Sequence, residues 1–134
     1  MTKFLILTKY DETLGLEPMS KWAPEDARAH AEYQMAINKE LVDSGEWVEG
    51  YALTGPELAK IVVSDGGTAP VITDGPFPEA KELLAGYQMV DVESLDRALE
   101  IAARVSAAPG PGGAPIGQRI EVRQVMADLL GCEL

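Results

Sequence analysis

Apolar and polar residues change rhythm several times along this chain, and each rhythm predicts an element. Residues 3–10 read as a strand with Phe4, Ile6 and Tyr10 on one side and Leu5 and Leu7 on the other, so both of its faces are apolar. After a loop over 11–23, Pro24 suits the first position of a helix, where Glu25 and Asp26 favour the positive end of the dipole. Ala23 brings no side-chain oxygen, which leaves that start weakly capped. The helix is expected to run to about Ser44 and to stop at Gly45. Strands follow over 46–53 and 59–64, separated by a Thr54-Gly55-Pro56 turn and closed by Asp65-Gly66-Gly67. Val71-Ile72-Thr73 reads as a short strand and 83–92 as a longer one, in which Gly86 marks a bulge or a close backbone approach. Ser94 caps a second helix, along which Leu95, Ala98, Leu99, Ala102 and Val105 form an apolar stripe. Segment 106–117, dominated by Ala, Pro and Gly, is expected to be a mobile surface loop. A closing strand over 118–126 carries Ile120 and Val122 on one face and Arg119, Glu121 and Arg123 on the other.

This order predicts an α+β fold: two βαβ halves forming a ferredoxin-like antiparallel sheet with both helices on one face. The opposite face is then uncovered. Because 4–7 is apolar on both sides, as is 83–92 apart from Gln88 and Asp91, a cover is expected, and a second copy in a twofold homodimer is the simplest one.

A length of 134 residues fits a single domain spanning the whole chain, able to bury a core without metal or disulfide support. Twenty-two acidic against eleven basic residues give a formal charge of −11, which argues against nucleic-acid and anionic membrane partners. The single cysteine, Cys132, has no partner for a disulfide and no neighbouring His or Cys for a metal site, consistent with a tail thiol in a reducing compartment. No apolar run has the length of a signal core or a membrane span, so a soluble, cytoplasmic protein is expected. There is no Gly-rich phosphate loop, no Cys/His cluster and no Gly-x-Ser-x-Gly turn, and neither a cofactor nor a metal is expected.

The first helix carries the most suggestive chemistry. Ala27, Ala31, Ile37, Leu41 and Val42 define its buried arc, and His30, Gln34 and Asn38, spaced i, i+4 and i+8, fall within that arc. Polar groups on an apolar stripe require partners or water. Either they line a pocket for a small-molecule ligand, or they bond to sheet or loop backbone. His30, the only histidine, is the side-chain type best suited to general acid/base work near neutrality. Arg123 could hold a ligand carboxylate through a bidentate fork, or form an ion pair with a strand neighbour or the dimer partner. Trp22, Trp47, Tyr33, Tyr51 and Tyr87 are explained by packing as readily as by an aromatic pocket.

Asp74-Gly75-Pro76-Phe77, followed by Glu79, Lys81 and Glu82, is a turn with an apolar anchor and a charged exit. It resembles the YCII-related proteins, in particular their DGPF-domain branch. The likeness continues through Pro24-Glu25-Asp26, Gly86-Tyr87, Val90-Asp91-Val92, Leu95-Asp96-x-Ala98-Leu99-Glu100 and Glu121-Val122-Arg123. Ala80 and Gln124 depart from the usual Thr and Pro. The resemblance implies dimeric α/β barrels similar in fold to muconolactone isomerase, and an acid/base His and Asp pair in some members. His30 and Asp74 are the residues here that would play those parts, with Gln34, Asn38 and Arg123 contacting the ligand. From its own sequence Asp74 reads more readily as a turn residue bonded to following backbone N–H groups. Whether the protein is an enzyme stays open: cofactor-free isomerisation or elimination stands beside non-catalytic ligand binding or regulatory partnership with an alternative sigma factor, which the resemblance also permits.

Overall fold

The elements follow the sequence rhythm closely, because most of their ends are fixed by local chemistry. The computed structural model describes residues 1–11, 19–75 and 82–131. Its elements are β1 (Thr2–Asp11), α1 (Pro24–Ser44), β2 (Trp47–Ala52), β3 (Lys60–Val63), β4 (Val71–Asp74), β5 (Glu82–Val92), α2 (Leu95–Ser106) and β6 (Ile120–Gln124). At the end of α1, Gly45 adopts φ 83°. Its N–H reaches Val42 O at 3.1 Å, and the next N–H, of Glu46, reaches Leu41 O at 2.9 Å. Those two bonds satisfy the last helical carbonyls in a Schellman stop. Ser94 Oγ accepts from Arg97 N at 3.1 Å and caps α2.

Four strands form an antiparallel sheet in the order β2-β5-β1-β6. The two-sided apolar character of β1 explains its place inside the sheet. Phe4, Ile6, Val90 and Val92 face the helices and join Ile37 and Leu41 of α1 with Ala98, Ile101, Ala102 and Val105 of α2 in one buried core. Strands β3 and β4 form a separate two-stranded hairpin between β2 and β5.

Four expectations need correction, the last of them the buried arc of α1, in which Ile37 and Leu41 are buried but Ala31 and Val42 are exposed. The first is the dimeric α/β barrel: the sheet stays open, with β2 and β6 as its edges, so the structure is a single open-sheet chain and not a homodimeric barrel. A reason lies on the outward face, where the half-buried Leu5, Leu7 and Met89 share their surface with bonded polar groups. Lys9 Nζ donates to Glu121 Oε1 at 2.5 Å, and the Tyr87 hydroxyl donates to Glu49 Oε2 at 2.6 Å. Counting apolar alternation overlooked these cross-strand pairs, which make the face less costly to leave in water.

The second is the phase of α2: Ile101 is fully buried, whereas Leu95 and Leu99 are 52% and 46% exposed. The apolar arc is therefore centred on Ala98, Ile101, Ala102 and Val105. The third is the Pro/Gly-rich loop, which is held by backbone bonds that need no side chains. Gly110 N donates to Ala114 O at 2.8 Å, Ile116 N to Ala108 O at 2.9 Å and Gly117 N to Ser106 O at 2.9 Å. A fourth bond, from Gly112 N to Asp26 Oδ2 at 3.2 Å, hooks this small hairpin onto the first turn of α1.

Candidate functional site

Between α1 and the strands β2 and β5 lies a cavity of about 340 Å³, and His30, Gln34 and Asn38 all line it. That size falls at the small end of ligand sites, which start at roughly 300 Å³. Their i, i+4, i+8 spacing stacks the three side chains down one face of α1. Gln88 and Thr8 answer from the sheet, and Trp47 closes one side. Among the described residues no Lys, Arg, Asp or Glu lines it.

Two glycines keep the sheet side of the cavity thin. A Cβ on Gly50 would come within 2.6 Å of Trp47 Cη2 and 3.0 Å of Tyr87 O. One on Gly86 would come within 2.9 Å of Tyr51 O. Gly86 thus marks a close backbone approach, and the register also shifts opposite it, between Thr8 and Lys9.

His30 is oriented by backbone and not by a carboxylate. Its Nδ1 lies 3.0 Å from Pro109 O, and its ring meets Trp22 edge to face at 5.5 Å and 84°. A carbonyl oxygen only accepts, so the neutral ring carries its proton on Nδ1 and leaves the Nε2 lone pair free. At His30 a bond to loop backbone thus coexists with a place beside the cavity. Lower down α1, Gln88 Nε2 donates to Asn38 Oδ1 at 2.5 Å. Gln88 is only 8% exposed, and this bond compensates its burial.

The other sequence-derived candidates lie elsewhere. Asp74, at the end of β4, is paired with Lys60 across the hairpin, its side chain is 86% exposed, and it is not part of the cavity lining. Pro76, Phe77, Glu79 and Lys81, like the side chain of Glu82 and the tail Cys132, lie outside the described residues. Arg123 extends from the outward face of the sheet and pairs with Glu121 at 3.4 Å, the strand-neighbour pairing weighed for it. Its side chain is 70% exposed and likewise takes no part in the cavity. On that same face the bond from Lys9 holds the Glu121 carboxyl below its usual range, and the bond to Glu49 raises Tyr87 above its own.

Sequence reasoning missed two contributors. Pro109 acts through its backbone oxygen, which no side-chain pattern reports. Gln88 did leave a signal, as a polar interruption in an otherwise apolar strand. Among the described residues no three His, Cys, Asp or Glu side chains gather to hold a metal ion. No described helix is long and apolar enough to cross a membrane.

Comparison with known proteins adds a family and no chemistry. An uncharacterized protein of Rhizobium meliloti (strain 1021) is 29% identical over 103 residues, covering 77% of this chain and 79% of that relative. The YCII-related domain matches residues 2–114, a span that contains every lining residue of the cavity and the Pro109 carbonyl. This chain belongs to the YCII-related family.

Proposed function

We propose that this protein binds a small molecule in the cavity beneath α1, and that His30 exchanges a proton with it in a cofactor-independent isomerisation or elimination. The observation that carries this reading is the fixed tautomer of His30. Nδ1 is committed to Pro109 O at 3.0 Å, so Nε2 is the atom left to take a proton. In an isomerisation Nε2 removes a proton from one ligand atom and returns it to another, which leaves composition and charge unchanged. Gln34 and Asn38 sit along the same wall and hold the ligand in place. Asp74 and Arg123 stand outside this machinery. The Asp74-Gly75-Pro76-Phe77 sequence supports a place in the DGPF branch of the family, a mark of descent and not of chemistry.

A diverse fragment screen followed by ¹H–¹⁵N NMR tests the reading. Binding fragments are expected to shift the side-chain amides of Gln34, Asn38 and Gln88. His30→Asn is expected to keep that binding while losing deuterium exchange into the acidic C–H of a bound fragment. A screen in which no fragment shifts these amides overturns the pocket reading. Exchange at an undiminished rate in His30→Asn removes the histidine from the chemistry and leaves a binding protein.

A further inference from the structure

The chemistry of the cavity wall also restricts what enters it. We infer that the ligand is uncharged and presents a hydrogen-bond donor beside an acceptor on one planar edge, as a lactam or cyclic imide does; this rests on the pocket reading above.

Charge is the first ground. Among the described lining residues there is no Lys, Arg, Asp or Glu, so along these walls a carboxylate or phosphate meets no cationic side chain and an ammonium meets no carboxylate. Moving an ion out of water without a partner costs far more than moving a neutral polar group. The chain's formal charge of −11 adds a long-range penalty against anions.

The pairing of Asn38 with Gln88 is the second. Each primary amide has one carbonyl and one NH₂ group, and the bond between them uses one carbonyl and one N–H. The Asn38 NH₂ and the Gln88 carbonyl make no other protein hydrogen bond among the described residues. Neither is a sealed, unpartnered atom of the kind found at Asp91 Oδ1, so both remain reachable. Reversing both amides leaves the same result, one NH₂ group and one carbonyl group that make no protein bond. A lactam edge, N–H beside C=O, matches that pair. A carboxylate edge offers two acceptors and no donor, so it leaves the Gln88 carbonyl without a partner. Higher on the wall, His30 Nε2 accepts from a second N–H or O–H.

Shape is the third ground. Gly50 and Gly86 present bare backbone, and the Trp47 indole already lies where a Gly50 Cβ would be. A flat ring fits against that surface better than a branched one.

The test compares four probes of similar size on the full-length protein at neutral pH: 2-pyridone, N-methyl-2-pyridone, benzoate and benzamidinium. Affinities are read from NMR shifts of the Asn38 and Gln88 amides. 2-Pyridone is expected to bind about tenfold tighter than each of the others, because each mismatch leaves a desolvated polar group unpaired. Asn38→Leu is expected to weaken 2-pyridone by about the same factor. The N-methyl comparison uses the unmodified protein and stands even if that variant fails to fold. Benzoate, benzamidinium or N-methyl-2-pyridone binding as tightly as 2-pyridone overturns the assignment of ligand class. So does a fragment screen with hits at these amides from which the uncharged lactam is absent. A screen without any hit at these amides overturns the pocket itself, and the inference with it.

Discussion

Replacing Arg97 by alanine should loosen the frame that holds the cavity's sheet wall. Arg97, in the first turn of α2, reaches Glu46 at the junction of α1 and β2 with two bonds, Nε to Oε2 and Nη2 to Oε1, each of 2.9 Å. The Glu46 main chain is engaged as well: its N–H closes α1 on Leu41 O, and its carbonyl accepts from Asp91 N of β5 at 2.8 Å. One residue thus joins both helices to the strands beside the cavity. The magnitude is bracketed by two limits. Exposed pairs contribute about 0.2–1 kcal/mol, whereas removing one partner of a fully buried pair costs about 3–5 kcal/mol. Here the Glu46 and Arg97 side chains are 13% and 29% exposed. In the variant Glu46 would still accept from Ser44 Oγ at 2.8 Å, so we expect a loss of about 2 kcal/mol at neutral pH.

The pH dependence has a definite sign. The Arg97 bond, reinforced by Ser44, holds the Glu46 carboxyl below its ordinary pKa against the opposing effect of burial. A depressed carboxylate pKa gives stability that is fully present above the unfolded value and is lost as pH falls through the folded one. The gap between wild type and Arg97→Ala should therefore be largest at neutral pH and narrow on acidification. Urea unfolding at a series of pH values measures it. A loss under about 0.5 kcal/mol at pH 7, in the range of a featureless surface change, would refute the reasoning. So would a gap that stays constant through the acid range.

Three further outcomes are expected. Ile101→Ala should destabilise by about 2–5 kcal/mol in chemical denaturation, as expected for a fully buried site, whereas Leu99→Ala should cost less than about 1 kcal/mol; a reversed order would restore the other phase of α2. Gly50→Ala should cost about 1–3 kcal/mol and shift tryptophan fluorescence, since its Cβ must displace the Trp47 ring or the Tyr87 backbone, and an unchanged spectrum at wild-type stability would contradict the packing described. Asp74→Asn should leave fragment binding at the Asn38 and Gln88 amides unaltered, because its carboxylate is engaged with Lys60 on the hairpin; loss of binding in that variant would return Asp74 to the site.

What the sequence made legible was local. Pro24 and Gly45 bound α1 at the expected residues, because ring closure at one end and a left-handed φ at the other act without the rest of the fold. The two-sided apolar run of β1 fits its place between β5 and β6, although the expectation drawn from it was a covering second copy. Where two local solutions competed, the sheet decided. In α2 a stripe through Leu95 and Leu99 and one through Ile101 overlap at Ala98, Ala102 and Val105, and only packing on β1, β5 and β6 selects between them. The Pro/Gly-rich segment was misread for a related reason. Composition reports how little a segment can bury, yet this loop is held by backbone bonds, which composition does not encode.

The candidate site divides along the same line. His30, Gln34 and Asn38 were legible because they share a helical face with the buried Ile37 and Leu41, where polar groups are costly without a compensating surface, although Ala31 and Val42, assigned to the same arc, are exposed. The agent that fixes His30 was not legible, since a main-chain carbonyl is present at every residue and only folding selects Pro109. The Asp74-Gly75 corner illustrates the converse. Its residues are distinctive because they build a turn, and their distinctiveness attracts a functional reading, but the hairpin commits Asp74 to Lys60, away from the cavity wall. In this chain an apolar helix face interrupted by amides therefore locates the candidate chemistry better than its most recognisable motif. The interruption carries an energetic cost that some contact must offset, whereas a turn motif is already explained by the turn it makes.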